Sequence, residues 1–68
     1  MTRKDMYAKY SDTLMAMYKE TGDDNSVCLD KLIYTYKNRG VDGADVYPGI
    51  PQDFDWGEFG KDYAELIA

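Results

Sequence analysis

Between Val41 and Gln52 the chain carries Gly43, Pro48, Gly49 and Pro51. A helix interior and a central strand both reject these residues, because proline lacks the amide donor and glycine pays the largest backbone entropy. No long element can run through this stretch, so a fold must be assembled from residues 1–40 and 53–68. At 68 residues the whole is expected to be one domain, residues 1–68, burying only about 60% of the surface its unfolded form exposes.

Both flanks carry helical periodicity. Met6, Tyr7, Tyr10, Leu14, Met17 and Tyr18 recur on one face, and Thr2 with Asp5 three residues on is a capping-box variant. A first helix is predicted over about residues 3–20. Gly22–Asn25 is a turn cluster in which Asp24 or Ser26 is the N-cap of a second helix, over about 27–38. Leu29, Leu32, Ile33 and Tyr36 give that helix its apolar face, and Gly40 is its candidate C′ residue. Asp55 followed by Glu58 opens a third, over about 55–67, with Trp56, Phe59, Tyr63, Leu66 and Ile67 at helical spacing.

The expected fold is all-α: three helices with a Gly/Pro-rich loop between the second and third, or with a short hairpin inside residues 41–50. Its core would be Met6, Tyr10, Leu14, Met17, Leu29, Leu32, Ile33, Tyr36, Trp56, Phe59, Tyr63 and Leu66. Trp56, the largest of these, is expected to cost about 3–5 kcal/mol on truncation to alanine. Tyr34 projects opposite the Leu29–Leu32 face and Met15 lies at the edge of the first helix's stripe, so both are candidate interface anchors and Tyr34→Ala should cost little stability.

Composition narrows the chemistry. With no histidine, the chain lacks the usual general base, metal ligand and neutral-pH switch. Its single cysteine, Cys28, can form neither an internal disulfide nor a zinc site. No Gly-rich phosphate loop is present, and no nucleophile is paired with a base. Asp53, Asp55 and Gly57 begin like a calcium loop, but Glu58 and Ala64 stand where glycine and glutamate are needed. The expectation is a non-enzyme without metal or cofactor. The longest apolar run, Leu14–Tyr18, is far short of the roughly 20 residues that span a bilayer, and no signal-peptide pattern follows Met1. A cytoplasmic, reducing location without membrane partners is expected.

Charge is distributed unevenly. Residues 1–40 hold seven bases and six acids, whereas residues 41–68 hold Lys61 alone against Asp42, Asp45, Asp53, Asp55, Glu58, Asp62 and Glu65. On a helical projection with Asp55 at zero, Glu58, Asp62 and Glu65 fall within a face about 80° wide, beside the apolar stripe. Like charges three and four residues apart repel by a few tenths of a kcal/mol, so the arrangement does not serve stability. A solvated helix face is the ordinary explanation. The alternative is phosphate mimicry, since carboxylates recurring about every 5 Å of helix approach the spacing of backbone phosphates, about 3.4 Å of axial rise along each DNA strand. On that reading Asp42, Asp45, Asp53, Asp55, Glu58, Asp62 and Glu65 contact a protein partner with a basic nucleic-acid-binding surface, and the chain itself binds no nucleic acid.

The segment IPQDFDWGEFGKDYAEL, from Ile50 to Leu66, resembles the acidic C-terminal motif of the ArdA family of antirestriction proteins. The matching positions are Pro51, Asp55, Trp56, Gly57, Glu58, Phe59, Gly60, Lys61 and Asp62, within a segment that covers about a quarter of the chain. The resemblance implies a phage- or plasmid-borne DNA mimic that acts in the bacterial host cytoplasm on a restriction or CRISPR effector, and small acidic anti-CRISPR proteins are similar in size and charge. Two other functions suit the residues: a helical adaptor docking through aromatic anchors, and a carrier protein modified at Ser26, with Asn25 and Val27 departing from the carrier motif's aspartate and leucine.

Overall fold

The computed structural model describes residues 1–68 and is all-helical, with α1 at Arg3–Lys9, α2 at Ser11–Thr21, α3 at Asn25–Lys37 and α4 at Trp56–Ile67. Four helices stand where three were expected, because the first predicted helix is broken at Tyr10. This residue (φ −105°, ψ 24°) closes α1 and opens α2. Tyr10 still donates to the Met6 carbonyl, and Leu14 to that of Tyr10, at 2.9 Å each. The intervening amides of Ser11, Asp12 and Thr13 make no backbone bond across the junction. Ser11 and Asp12 suit a fresh helix start, and Met6, Tyr10, Leu14 and Met17 still reach the core on both sides of the break.

The starts of α1, α3 and α4 are each fixed by a side chain, whereas α2 opens at Tyr10 with none. Thr2 and Asp5 complete a reciprocal capping box, with Asp5 N–H donating to Thr2 Oγ1 at 3.1 Å and Thr2 N–H to Asp5 Oδ2 at 2.9 Å. Asp24, not Ser26, caps α3, its Oδ1 accepting from Val27 N–H at 3.0 Å, so that helix begins two residues before the predicted 27. Asp55 caps α4 by accepting from Glu58 N–H at 3.0 Å. Gly22, at φ +75°, ends α2 in the left-handed conformation that glycine adopts without a Cβ penalty.

The three-residue turn Gly22–Asp24 folds α2 back onto α3 as a helical hairpin. Arg3 ties α1 to α3, its guanidinium lying 2.9 Å from Asp30 and 3.1 Å from the Ser26 carbonyl. Lys31 and Asp23 form a further ion pair at the start of the hairpin. Residues 38–55 contain no strand, so the hairpin alternative is set aside. They form turns in which Ala44 N–H donates to Val41 O and Phe54 N–H to Pro51 O. Gly49, at φ +92°, lies so close to α2 that a Cβ there would sit 2.6 Å from Met17 Cα.

The molecule is 19 Å through its shortest axis, about two helix diameters, and the fully covered core is correspondingly small. Met6, Tyr10, Leu14, Met17, Cys28, Leu29, Leu32 and Phe59 form it, with Tyr7, Ile33, Tyr36, Ile50, Phe54, Trp56 and Tyr63 packed around them. Phe59 is its centre. Its ring meets those of Tyr10 (5.3 Å), Tyr36 (5.9 Å), Phe54 (5.7 Å) and Trp56 (5.8 Å) at tilted to edge-on angles. Trp56, expected at the core, instead flanks it half-buried, with Arg39 over its ring at 5.4 Å. Cys28 has no exposed surface, and its thiol donates to the Asp23 carbonyl at 3.4 Å. Burial pushes this thiol up from its ordinary pKa.

Candidate functional site

Helix α4 and the loop before it carry the seven carboxylates of the predicted acidic surface, and their environments divide them. Asp55 is exposed and occupied by its own cap. Glu58 is exposed, and one oxygen lies 3.1 Å from Lys9 Nζ. Asp62, expected on the open stripe, is buried at 7% exposure. Its Oδ2 accepts from Tyr10 Oη at 2.5 Å and lies 2.7 Å from Lys9 Nζ. Glu65, Asp53, Asp42 and Asp45 are exposed and make no ion pair.

The sequence places Lys9 and Tyr10 in a charge-balanced segment some fifty residues from α4, and nothing local marks them as partners of it. Both meet Asp62 at the α1–α2 junction. Lys9 and the Tyr10 hydroxyl hold the Asp62 carboxyl below the ordinary carboxylate range, in that order of effect. The same contact, led by Asp62 and then Glu58, raises Lys9. Burial foremost, then Asp62, raises the Tyr10 phenol so that it remains a donor. This network is a clamp between the α1–α2 junction and α4.

Its pH dependence has a definite sign. Three carboxyls are depressed in the folded chain: Asp62 by Lys9, Asp23 by Lys31 and Asp5 by the Thr2 amide. Their contribution is present above the unfolded value of 3.8 and is lost as the pH falls below it through the folded values. Asp62→Asn, which keeps an acceptor for Tyr10 but removes the charge opposite Lys9, should lower stability near neutral pH by about 1–3 kcal/mol. Urea midpoints measured from neutral pH down to pH 3 should fall less steeply in this variant than in the wild type. Parallel pH profiles would show that Asp62 is not the clamp.

Tyr34 does project away from the Leu29–Leu32 face, but it finds a partner within the chain. Its ring packs edge-on against Tyr47 at 5.6 Å and its hydroxyl accepts from Asp45 N–H at 3.4 Å. Lys31 Nζ stands 5.2 Å from the other ring of this pair, Tyr47. Tyr34 therefore positions the loop that presents Asp42 and Asp45, and its truncation acts on that loop. Ser26 is exposed in the first turn of α3, with Arg3 Nη2 3.4 Å from its Oγ. No three of the Cys, Asp and Glu side chains gather as a metal site, and no helix is long and apolar enough to cross a membrane. Comparisons with protein-family models, curated proteins and solved structures found no match to this chain.

Proposed function

We propose that the chain is an acidic inhibitor that competes with DNA for the basic groove of a bacterial defence nuclease complex, of the restriction or CRISPR type, in the host cytoplasm. The observation that carries this reading is the set Asp42, Asp45, Asp53 and Glu65, exposed and without ion-pair partners in a segment whose one base, Lys61, is itself unpaired. Asp55 and Glu58 add exposed charge beside them, while Asp62 serves the fold. A lysine- and arginine-lined groove built for phosphates meets a surface of the same sign as DNA, and added salt screens the attraction between them.

The test neutralises only carboxylates that make no structural bond. A quadruple variant, Asp42→Asn, Asp45→Asn, Asp53→Asn and Glu65→Gln, should retain the wild-type urea midpoint. At about 0.5–1 kcal/mol for each exposed pair, its binding should weaken roughly 30- to 1,000-fold. The readouts are phage plating on restriction- and CRISPR-proficient hosts and competition of the purified effector with duplex DNA over a salt series. Wild-type inhibition should fall steeply with salt. Full inhibition by the variant, or binding indifferent to salt, would overturn the mimicry and favour an adaptor held by apolar anchors.

A further inference from the structure

The inner stripe of α2 is spent on the core through Leu14 and Met17, yet its outer face is also apolar. Met15 and Tyr18 are each 57% exposed. With Ser11, and with Asn25 from the start of α3, they line a groove of about 250 Å³. On a helical projection with Met15 at zero, Ser11 and Tyr18 lie at about −40° and −60°, and Lys19 and Asp12 at about +40° and +60°. Asp12 and Lys19 are exposed and take part in none of the chain's ion pairs.

These positions have a symmetry. Asp12 and Lys19 share one edge of the face, about 10 Å apart along the axis, with Met15 between them. Ser11 and Tyr18 occupy the opposite edge at the same separation. A two-fold axis normal to the plane of two antiparallel α2 helices, passing beside Met15, reverses the helix direction and keeps each edge on its own side. Asp12 then faces the second copy's Lys19 and Lys19 faces the second copy's Asp12. Met15 meets the second copy's Met15, and each Tyr18 lies against Ser11 of the other chain. An isologous contact needs a patch that is its own complement, and a helix face carrying one acid three residues before an apolar centre and one base four residues after it approaches that condition.

We propose that α2 forms a two-fold, antiparallel self-association interface centred on Met15, with Asp12 and Lys19 as its reciprocal ion pairs. Three helical turns on each side make a contact below the standard interface size, so the dimer is a weak, concentration-dependent one. The patch is separate from the acidic loop, and the proposal stands independently of the inhibitor function.

Sedimentation velocity from micromolar to millimolar protein tests it. The wild type should dimerise as concentration rises. Asp12→Lys or Lys19→Asp alone places like charges opposite one another at both symmetry-related positions, and each should weaken dimerisation by roughly tenfold or more. An equimolar mixture of the two single variants restores opposite charges across both pairs and should form the heterodimer. Met15→Glu should abolish association. All these positions are exposed, and an unchanged helical circular dichroism spectrum certifies the fold of each variant. A wild type that stays monomeric at millimolar concentration overturns the proposal, whether or not some other protein adheres to the patch. So does dimerisation unaffected by Asp12→Lys, or a mixture that fails to associate.

Discussion

Phe59→Ala is expected to remove about 3–5 kcal/mol of stability. Of the aromatic side chains, Phe59 alone is covered completely, and it contacts four other rings drawn from the α1–α2 junction, α3, α4 and the segment before α4. Truncation leaves a cavity that those rings line together, and each could collapse into it only by leaving its own partner. A domain of this length has about 3–10 kcal/mol in total, so the variant should be largely unfolded or close to its midpoint without denaturant. Trp56→Ala should cost less, about 2 kcal/mol, because its ring is only partly covered and the Arg39 contact above it is at the surface. Urea unfolding followed by circular dichroism compares the two, since fluorescence is lost with the only tryptophan. A larger loss at Trp56 than at Phe59 would contradict the core described above.

Gly49→Ala is expected to detach the acidic loop from α2, at about 2–5 kcal/mol. Two costs combine. A side chain at φ +92° is strained by about 1–2 kcal/mol, and its Cβ would lie 2.6 Å from Met17 Cα and 2.9 Å from the Ala16 carbonyl oxygen. Helix backbone cannot step aside as a flexible side chain can, which adds an overpacking cost of about 1–3 kcal/mol. Gly43→Ala separates the two contributions, because Gly43 has φ +80° and open space around it, so strain alone applies. Proteolysis within residues 41–53 should accelerate in the Gly49 variant. Equal losses at the two glycines would mean that the loop does not rest on α2. Gly60 differs from both, since a Cβ there would meet a side chain and not backbone, the Tyr36 hydroxyl at 2.6 Å and its ring carbon Cζ at 2.9 Å.

The helical class and most of the element boundaries were legible because the signals are local. Thr2, Asp24 and Asp55 are caps whose partners lie three residues away, and the Gly/Pro stretch excludes regular structure wherever it is placed. The division at Tyr10 was not legible, since neither glycine nor proline marks it and the apolar stripe runs through it in phase. Phe54 was missed as a packing residue because it precedes the helix. The signal was nonetheless present: it stands just before the Asp55 cap, five positions from Phe59, in the frame of a hydrophobic staple. Within the acidic set, the helical projection placed Asp62 beside Glu58 and Glu65 but could not register that Lys9 and Tyr10 would arrive from the other end of the chain. Pairings across such sequence separations are fixed by tertiary packing alone.

The single thiol in the core makes the molecule its own unfolding clock. Cys28 has no exposed surface and a depressed tendency to ionise, so an alkylating reagent can reach a reactive thiolate only during excursions that open the α2–α3 hairpin. When reclosing is faster than alkylation, the modification rate reports the population of open molecules. When alkylation is faster, it reports the opening rate itself. Following the rate as reagent is raised passes from one limit to the other in a single unmodified sequence, yielding the free energy and the lifetime of the native state without an engineered probe.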